Sequence, residues 1–249
     1  MVRLVLAFAV LATPAVGAER NLIVTDFDRV RVEAPVTVQV TTGVASAARL
    51  PTGAASEAVD IVVEDRTAII RLRDDTQLAG PLVVKLGTRQ LREAQLLGDG
   101  TLSIDRLTGG DARLVVDGPG VLQVGQVALD RLDLAAGGAA KIELAGQVKQ
   151  AGLALRGDGT LAAPGLSVAD LTVENSGSGG ISVTATRSAS VAARGPGRIT
   201  VYGTASCTIT ARGTGPITCR NPQLKMAKAD PVPAVPVRGA GAGQPLFRR

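Results

Sequence analysis

No histidine and no tryptophan occur in this 249-residue chain, and its aromatic residues are four: Phe8, Phe27, Tyr202 and Phe247. The missing histidine removes the commonest general base and the commonest metal ligand. The scarcity of rings leaves a core to be built from Val, Leu, Ile and Ala, and few platforms for stacking sugars. Cysteine occurs twice, and no apolar run reaches the roughly 20 residues that a membrane-crossing helix needs. Glycine is plentiful, with 30 residues in a chain that is 45% apolar. That combination favours many short strands joined by tight turns over helices or a ligand-lined pocket.

Residues 1–18, MVRLVLAFAVLATPAVGA, have a basic start at Arg3, an apolar run from Leu4 to Leu11 and a small-residue end at Ala18. This pattern predicts a secretory signal cleaved after Ala18. No cysteine follows to carry a lipid anchor, so the mature chain is expected to be soluble and exported, to the periplasm or to the cell exterior and surface. The formal charge of +5 is unevenly placed. Acidic and basic residues cancel over 19–220, whereas Lys225, Lys228, Arg238, Arg248 and Arg249 outweigh Asp230 beyond it. The segment 221–249, rich in Pro, Ala and Gly, reads as a disordered basic tail. Weak contact with an anionic surface fits such a tail better than nucleic-acid recognition does.

The body repeats. LLGDGTLSI, VVDGPGVLQV, AAGGAAKIEL, LRGDGTLAA, NSGSGGISV, ARGPGRITV and ARGTGPITC are seven versions of one corner, with first glycines Gly98, Gly118, Gly138, Gly157, Gly177, Gly195 and Gly213 at intervals of 18 to 20 residues. Second glycines follow at Gly100, Gly120, Gly159, Gly179, Gly197 and Gly215, and Ala140 takes that place once. Four residues after the first glycine stand Leu102, Leu122, Ile142, Leu161, Ile181, Ile199 and Ile217, and four before it Ala94, Leu114, Leu134, Leu153, Val173, Val191 and Ile209. Apolar residues at fixed offsets with period two mark strands with one buried face.

A unit of two strands and two corners cannot bury its own apolar face, so the copies must stack. The expected fold is all-β, a parallel β-helix or β-solenoid with coils of 18 to 20 residues. Seven coils at about 4.8 Å each make a rod on the order of 30 Å long. A β-sandwich competes, but its hairpins give no reason for every turn to share a sequence. Pro119 and Pro196 suit the second position of a type II turn, with Gly120 and Gly197 supplying positive φ at the third. Ala140 should make its corner strained or of another type. Gly125, Gly146, Gly165 and Gly203 mark a second corner. The division expected is one domain over 19–220, with 94–220 holding the repeats and the alternating strands of 19–93 covering the end of the stack.

The opening FDRVRVEAPVTVQVTTG, the later EDRTAIIRLRD and the serial GxG corners resemble the auto-transporter adhesin head GIN domain family over about residues 21–220. The resemblance implies a right-handed parallel β-helix on an exported bacterial protein, with no catalytic motif to transfer. The corners depart from the family's small-residue GAG form, being GDG, GPG and GTG.

Function is then a matter of what the rod presents. A phosphate-binding glycine loop opens a helix, and every GxG here opens a strand. Calcium solenoids repeat about every nine residues with an acid in each unit, a pattern absent here. No metal, cofactor or catalytic residue is therefore assigned. Asp99, Asp117 and Asp158 near the corners, with Arg156, Arg194 and Arg212, are the candidates for a carboxylate pair of the glycosidase kind. Cys207 and Cys219 lie six residues either side of Gly213 with inward parity. In an exported protein this favours a disulfide, with two buried thiols as the alternative. The expected function is a non-enzymatic structural or interaction surface meeting an unidentified envelope protein or glycan, and no nucleic acid. The competing expectation is a carbohydrate-active β-helix enzyme.

Overall fold

The structure is a computed structural model and describes residues 19–73, 78, 80–220 and 224–225. The expected leader over 1–18 and, apart from 224–225, the expected tail lie outside the described residues. Strands make up 69% of the described residues and helix 2%. They run β1 (Glu19–Leu22), β2 (Arg29–Val32), β3 (Thr37–Thr42), β4 (Ala47–Pro51), the single turn α1 (Ala54–Glu57), β5 (Val59–Glu64), β6 (Thr67–Leu72), β7 (Val83–Thr88) and β8 (Glu93–Leu97). The array follows as β9 (Thr101–Asp117), β10 (Val121–Gly137), β11 (Lys141–Leu155), β12 (Thr160–Asn175), β13 (Gly180–Ala193), β14 (Ile199–Gly203), β15 (Ser206–Ala211), β16 (Ile217–Cys219) and β17 (Leu224–Lys225).

The array is a parallel β-solenoid. Leu102, Leu122, Ile142, Leu161, Ile181, Ile199 and Ile217 pair in register from coil to coil, as do Ala94, Leu114, Leu134, Leu153, Val173, Val191 and Ile209. These columns meet inside the coil, and all but Ile209 and Ile217 are buried. Fully burying a Leu, Ile or Val contributes about 1.5–3 kcal/mol, so stacking supplies what no single coil has. Seven corners bound about six complete turns, one fewer than the copy count suggests.

Each 20-residue turn has three faces where two were expected. In β10 the inward alternation runs over 121–124, resets at Gly125–Gln126, and resets again at Asp130–Arg131. The faces are called here post-corner, back and pre-corner. When the period falls to 18, the back face loses the residues, with register shifts between Ala163 and Ser167 and between Val168 and Asp170. A shorter circumference encloses less cross-section. Leu166, Val168 and Leu171 of β12 accordingly give way to Ala185 and Ala189 in β13, then to Ala205 and Cys207.

The corners hold a correction. Where a corner has positive φ it belongs to the first glycine, at Gly98 (100°), Gly118 (116°), Gly138 (70°) and Gly157 (104°), while Gly177, Gly195 and Gly213, like Gly120 and Gly197, do not show it. The second glycine is required by crowding between coils. A Cβ on Gly120 would stand 2.8 Å from the Gly98 carbonyl oxygen and 3.0 Å from that of Gly100. Ala140 is accommodated, fully buried and without positive φ of its own, in a hydrogen-bonded turn whose positive φ sits on Gly138.

The N-terminal strands do more than cover an end. β2 lies between β6 and β8, and β3 between β7 and β9, all parallel, so Glu33–Val36 forms another corner of the stack. The Asp105 carboxylate ties this coil to the next by accepting from the Thr42 backbone N–H at 2.9 Å. The end itself is closed by antiparallel strands, β5 on β6 and β4 on β7 with β1 outside it.

Candidate interaction face

The pre-corner face combines outward side chains of alternating charge with small residues. One row reads Glu93, Arg113, Asp133, Gly152, Thr172 and Ser190 across successive coils. Because Gly152 has no side chain and its neighbours are Ala135 and Ala154, the face dips into a trough of about 410 Å³ walled by Arg113, Asp133, Thr172 and Glu174. A second hollow, also about 410 Å³, adjoins it between Arg131, Gln150 and Asp170. Beyond Ala154, a gap of about 30 Å³ lies between Arg156 and Arg194 beside Ser176. These depressions form a path across and along one face.

Two of its carboxylates, Asp133 and Asp170, are paired. Arg131 Nε donates to Asp133 Oδ2 at 3.1 Å. Arg187 Nε and the Ser188 hydroxyl each donate to Asp170 Oδ1 at 2.7 Å, and Arg187 Nη2 reaches Oδ2. The Arg187 hydrogen bond, then that of Ser188, lowers the Asp170 carboxyl to about 2. Such a group stays ionised and has no proton to give a leaving group, the opposite of the raised carboxyl a glycosidase acid needs.

The corner carboxylates are dispersed. Asp99 and Asp158 sit at matching corner positions three rungs apart, about 14 Å by strand spacing. Asp158 accepts the Ser178 hydroxyl, and Asp117 lies over Gly137. None of the three lines the depressions above. Arg156, Arg194 and Arg212, by contrast, do come together: with Ser176 they occupy equivalent places just before successive corners, held by backbone bonds from each to the coil before. Among the described residues no group of three Cys, Asp or Glu is placed to hold a metal ion.

Cys207 and Cys219 are joined as a disulfide with Cα atoms 6.6 Å apart. Cys207 stacks on Ala189 and Cys219 on Val201, so the bond crosses the interior of the last coil from β15 to β16. From Gly118 onward a Cβ on a corner glycine would meet backbone of the preceding coil, whereas at Gly98 nothing lies within 4 Å.

Two residues that matter escaped the sequence reading. Gly152 makes the trough, and only its neighbours across coils reveal that. Asn175 is 2% exposed in the column Leu96, Val116, Ala136, Leu155, Asn175, Ala193, where every other residue is apolar. Its Nδ2 donates to the Gly179 carbonyl at 2.9 Å and its Oδ1 accepts from the Gly177 N–H at 3.1 Å, bracing that corner from inside. One polar residue in an apolar column was the available signal.

The sequence matches, over residues 26–205, the family described as "Putative auto-transporter adhesin, head GIN domain". The chain belongs to this family. Solved structures share the fold of this GIN domain at low identity. A "putative adhesin" from Bacteroides fragilis NCTC 9343 superposes with a TM-score of 0.77 at 19% identity, covering 83% of this chain and 98% of the other. A "putative adhesin" from Parabacteroides distasonis ATCC 8503 gives 0.61 at 18% identity, covering 81% and 96%. A "putative lipid binding protein" from the same organism gives 0.62 at 18%, covering 82% and 96%. No curated protein matches the chain in sequence. Among the described residues of the GIN domain, no helix is long and apolar enough to cross a membrane.

Proposed function

We propose that this GIN domain is a non-catalytic interaction module, exported to the envelope or beyond, that presents its pre-corner face to a protein or glycan partner. The observation carrying this reading is the open trough centred on Gly152, whose wall carboxylate Asp133 is paired with Arg131 and whose floor is backbone and methyl groups. Such a surface offers shape and a polar rim, the ingredients of recognition. The adhesin descriptions of the family and of its solved relatives support a binding role.

The test is retention of the purified protein on immobilised envelope fractions. Gly152→Trp fills the trough, since a Cβ there meets only the Asp133 carboxylate oxygen at 3.2 Å, the far end of an exposed side chain. Retention should fall about tenfold or more, equivalent to 1.4 kcal/mol. Gln123→Trp, on the post-corner face, should bind as the parent does. Equal retention of all three proteins, or turnover of an envelope polysaccharide by the parent, refutes the reading.

A further inference from the structure

The even balance of charge over the body conceals a division along the rod. Residues 19–174 carry 21 acidic residues against 16 basic, whereas residues 175–220 carry five arginines and no Asp or Glu. Arg187 is held by Asp170, but Arg194, Arg198 and Arg212 form no ion pair among the described residues, nor does Arg156 one coil earlier. All four are exposed. Arg156, Ser176, Arg194 and Arg212 stand in one row on the corner edge, and Arg198 follows directly on the far side of the Gly195–Pro196–Gly197 turn. Neighbouring rungs are about 4.8 Å apart, so Arg156 and Arg194 face each other about 10 Å apart across Ser176. The gap between them is open to a small group and is bordered by one acid, Glu174.

We propose that this arginine edge binds a linear acidic glycan laid along the rod axis, its carboxylates taken in turn by Arg156, Arg194 and Arg212, with the Ser176 hydroxyl as a further donor. Guanidinium groups suit this because they present paired N–H donors to a carboxylate and keep their charge at any physiological pH. A polymer meets successive cations of a row, and the cost of confining it is met once for several contacts. A membrane surface is less suited. Among the described residues the large exposed apolar side chains, Ile23, Val44 and Val83, belong to the N-terminal region, and none flanks the arginine row to enter a bilayer. A second copy of the chain would pair strand to strand at an end of the stack, whereas these arginines project sideways.

This rests on the reading of the rod as an interaction surface, and its test is separate from trough filling. Polygalacturonate binding to the purified protein is measured by calorimetry over a series of salt concentrations. The triple variant Arg156→Gln, Arg194→Gln, Arg212→Gln should lose at least tenfold in affinity and most of the salt dependence that ion release produces. Arg156→Lys, Arg194→Lys, Arg212→Lys should retain part of the binding. A control removing equal charge elsewhere, Arg66→Gln, Arg71→Gln, Arg89→Gln, should bind as the parent does, and Tyr202 fluorescence confirms that each variant is folded. Loss of affinity equal to that of the control overturns the proposal. So does binding that survives the triple variant and disappears when the tail cations from Lys225 to Arg249 are replaced by Gln. Binding to phosphatidylglycerol vesicles without binding to the polymer reassigns the edge to membranes and likewise overturns it. If the polymer fails while envelope retention still depends on Gly152, only this proposal falls.

Discussion

Replacing Asn175 tests whether one internal side chain holds a corner of the solenoid. Its amide bridges Gly177 and Gly179 from within the coil, and the column around it is apolar, so no neighbouring side chain can substitute. Asn175→Ala removes both bonds. The Gly177 N–H is half-buried and can find water, whereas Gly179 is buried and its carbonyl is left without a partner. One stranded buried acceptor costs about 1–3 kcal/mol and the other bond about 1 kcal/mol net, giving about 2–4 kcal/mol. Asn175→Leu strands the same carbonyl but restores apolar contact with Leu155 and Ala193 on either side, which returns about 1–2 kcal/mol. The order of stability should therefore be parent, Leu, then Ala. Urea unfolding followed by Tyr202 fluorescence reads this locally, because Tyr202 pairs with Thr184 in the coil after the Asn175 corner. A solenoid can open at one end before the rest, so the early transition is the one to compare. Parent-like stability of Asn175→Ala, within about 0.5 kcal/mol, would show that water replaces the amide and that the bracing role is wrong.

The remaining expectations concern the end of the stack and its corners. Reducing the Cys207–Cys219 bond, or replacing both with Ser, should lower the C-terminal transition by about 3 kcal/mol, as expected for a loop of this length, and leave the transition of the N-terminal strands unchanged. Two reactive thiols in unreduced, denatured protein would contradict the bond itself. Gly98→Ala and Gly120→Ala should both destabilise, for different reasons. The first forces φ of 100° on a residue with open space around it, at about 1–3 kcal/mol, and the second drives a methyl into the Gly98 carbonyl with no φ penalty. Gly98→Asn should therefore recover part of the loss, since Asn tolerates positive φ better than Ala, while Gly120→Asn should be worse than Gly120→Ala. Thermal melts of the four variants decide it.

Much of the fold was legible because a stacked repeat writes its contacts into fixed offsets. The columns headed by Leu102 and Ala94 could be aligned from glycine to glycine, and the structure places them in register as aligned. The disulfide was readable for the same reason, since symmetric placement about Gly213 puts both cysteines inside one coil. The third face was not legible. Its bends at Asp105–Arg106 and Gly109–Asp111 reset the alternation without a consistent turn residue. The interleaving of β2 and β3 between later strands was hidden too, because Glu33–Val36 turns the corner with Ala, Pro and Val in place of GxG. Summing charge over the body hid the arginine edge, although the acid-free stretch from 175 to 220 was there to be read.

The sequence by itself determined that this chain is a coil of aliphatic strands. Stacked coils bury apolar columns repeated at fixed offsets from glycines 18 to 20 residues apart, and they give every turn a reason to share a sequence, which a β-sandwich does not. It also determined where the last coil is stapled and which corners differ. Tertiary structure decided what lies side by side on the outside. Gly152 becomes the floor of a trough only when Asp133 and Thr172 stand one rung above and below it, and Arg156, Arg194 and Arg212 become an edge only when the coils between them are stacked. Outward residues touch neighbours 18 to 20 positions away and are free of the packing that fixes the inward ones, so their pattern acquires meaning only in the assembled rod.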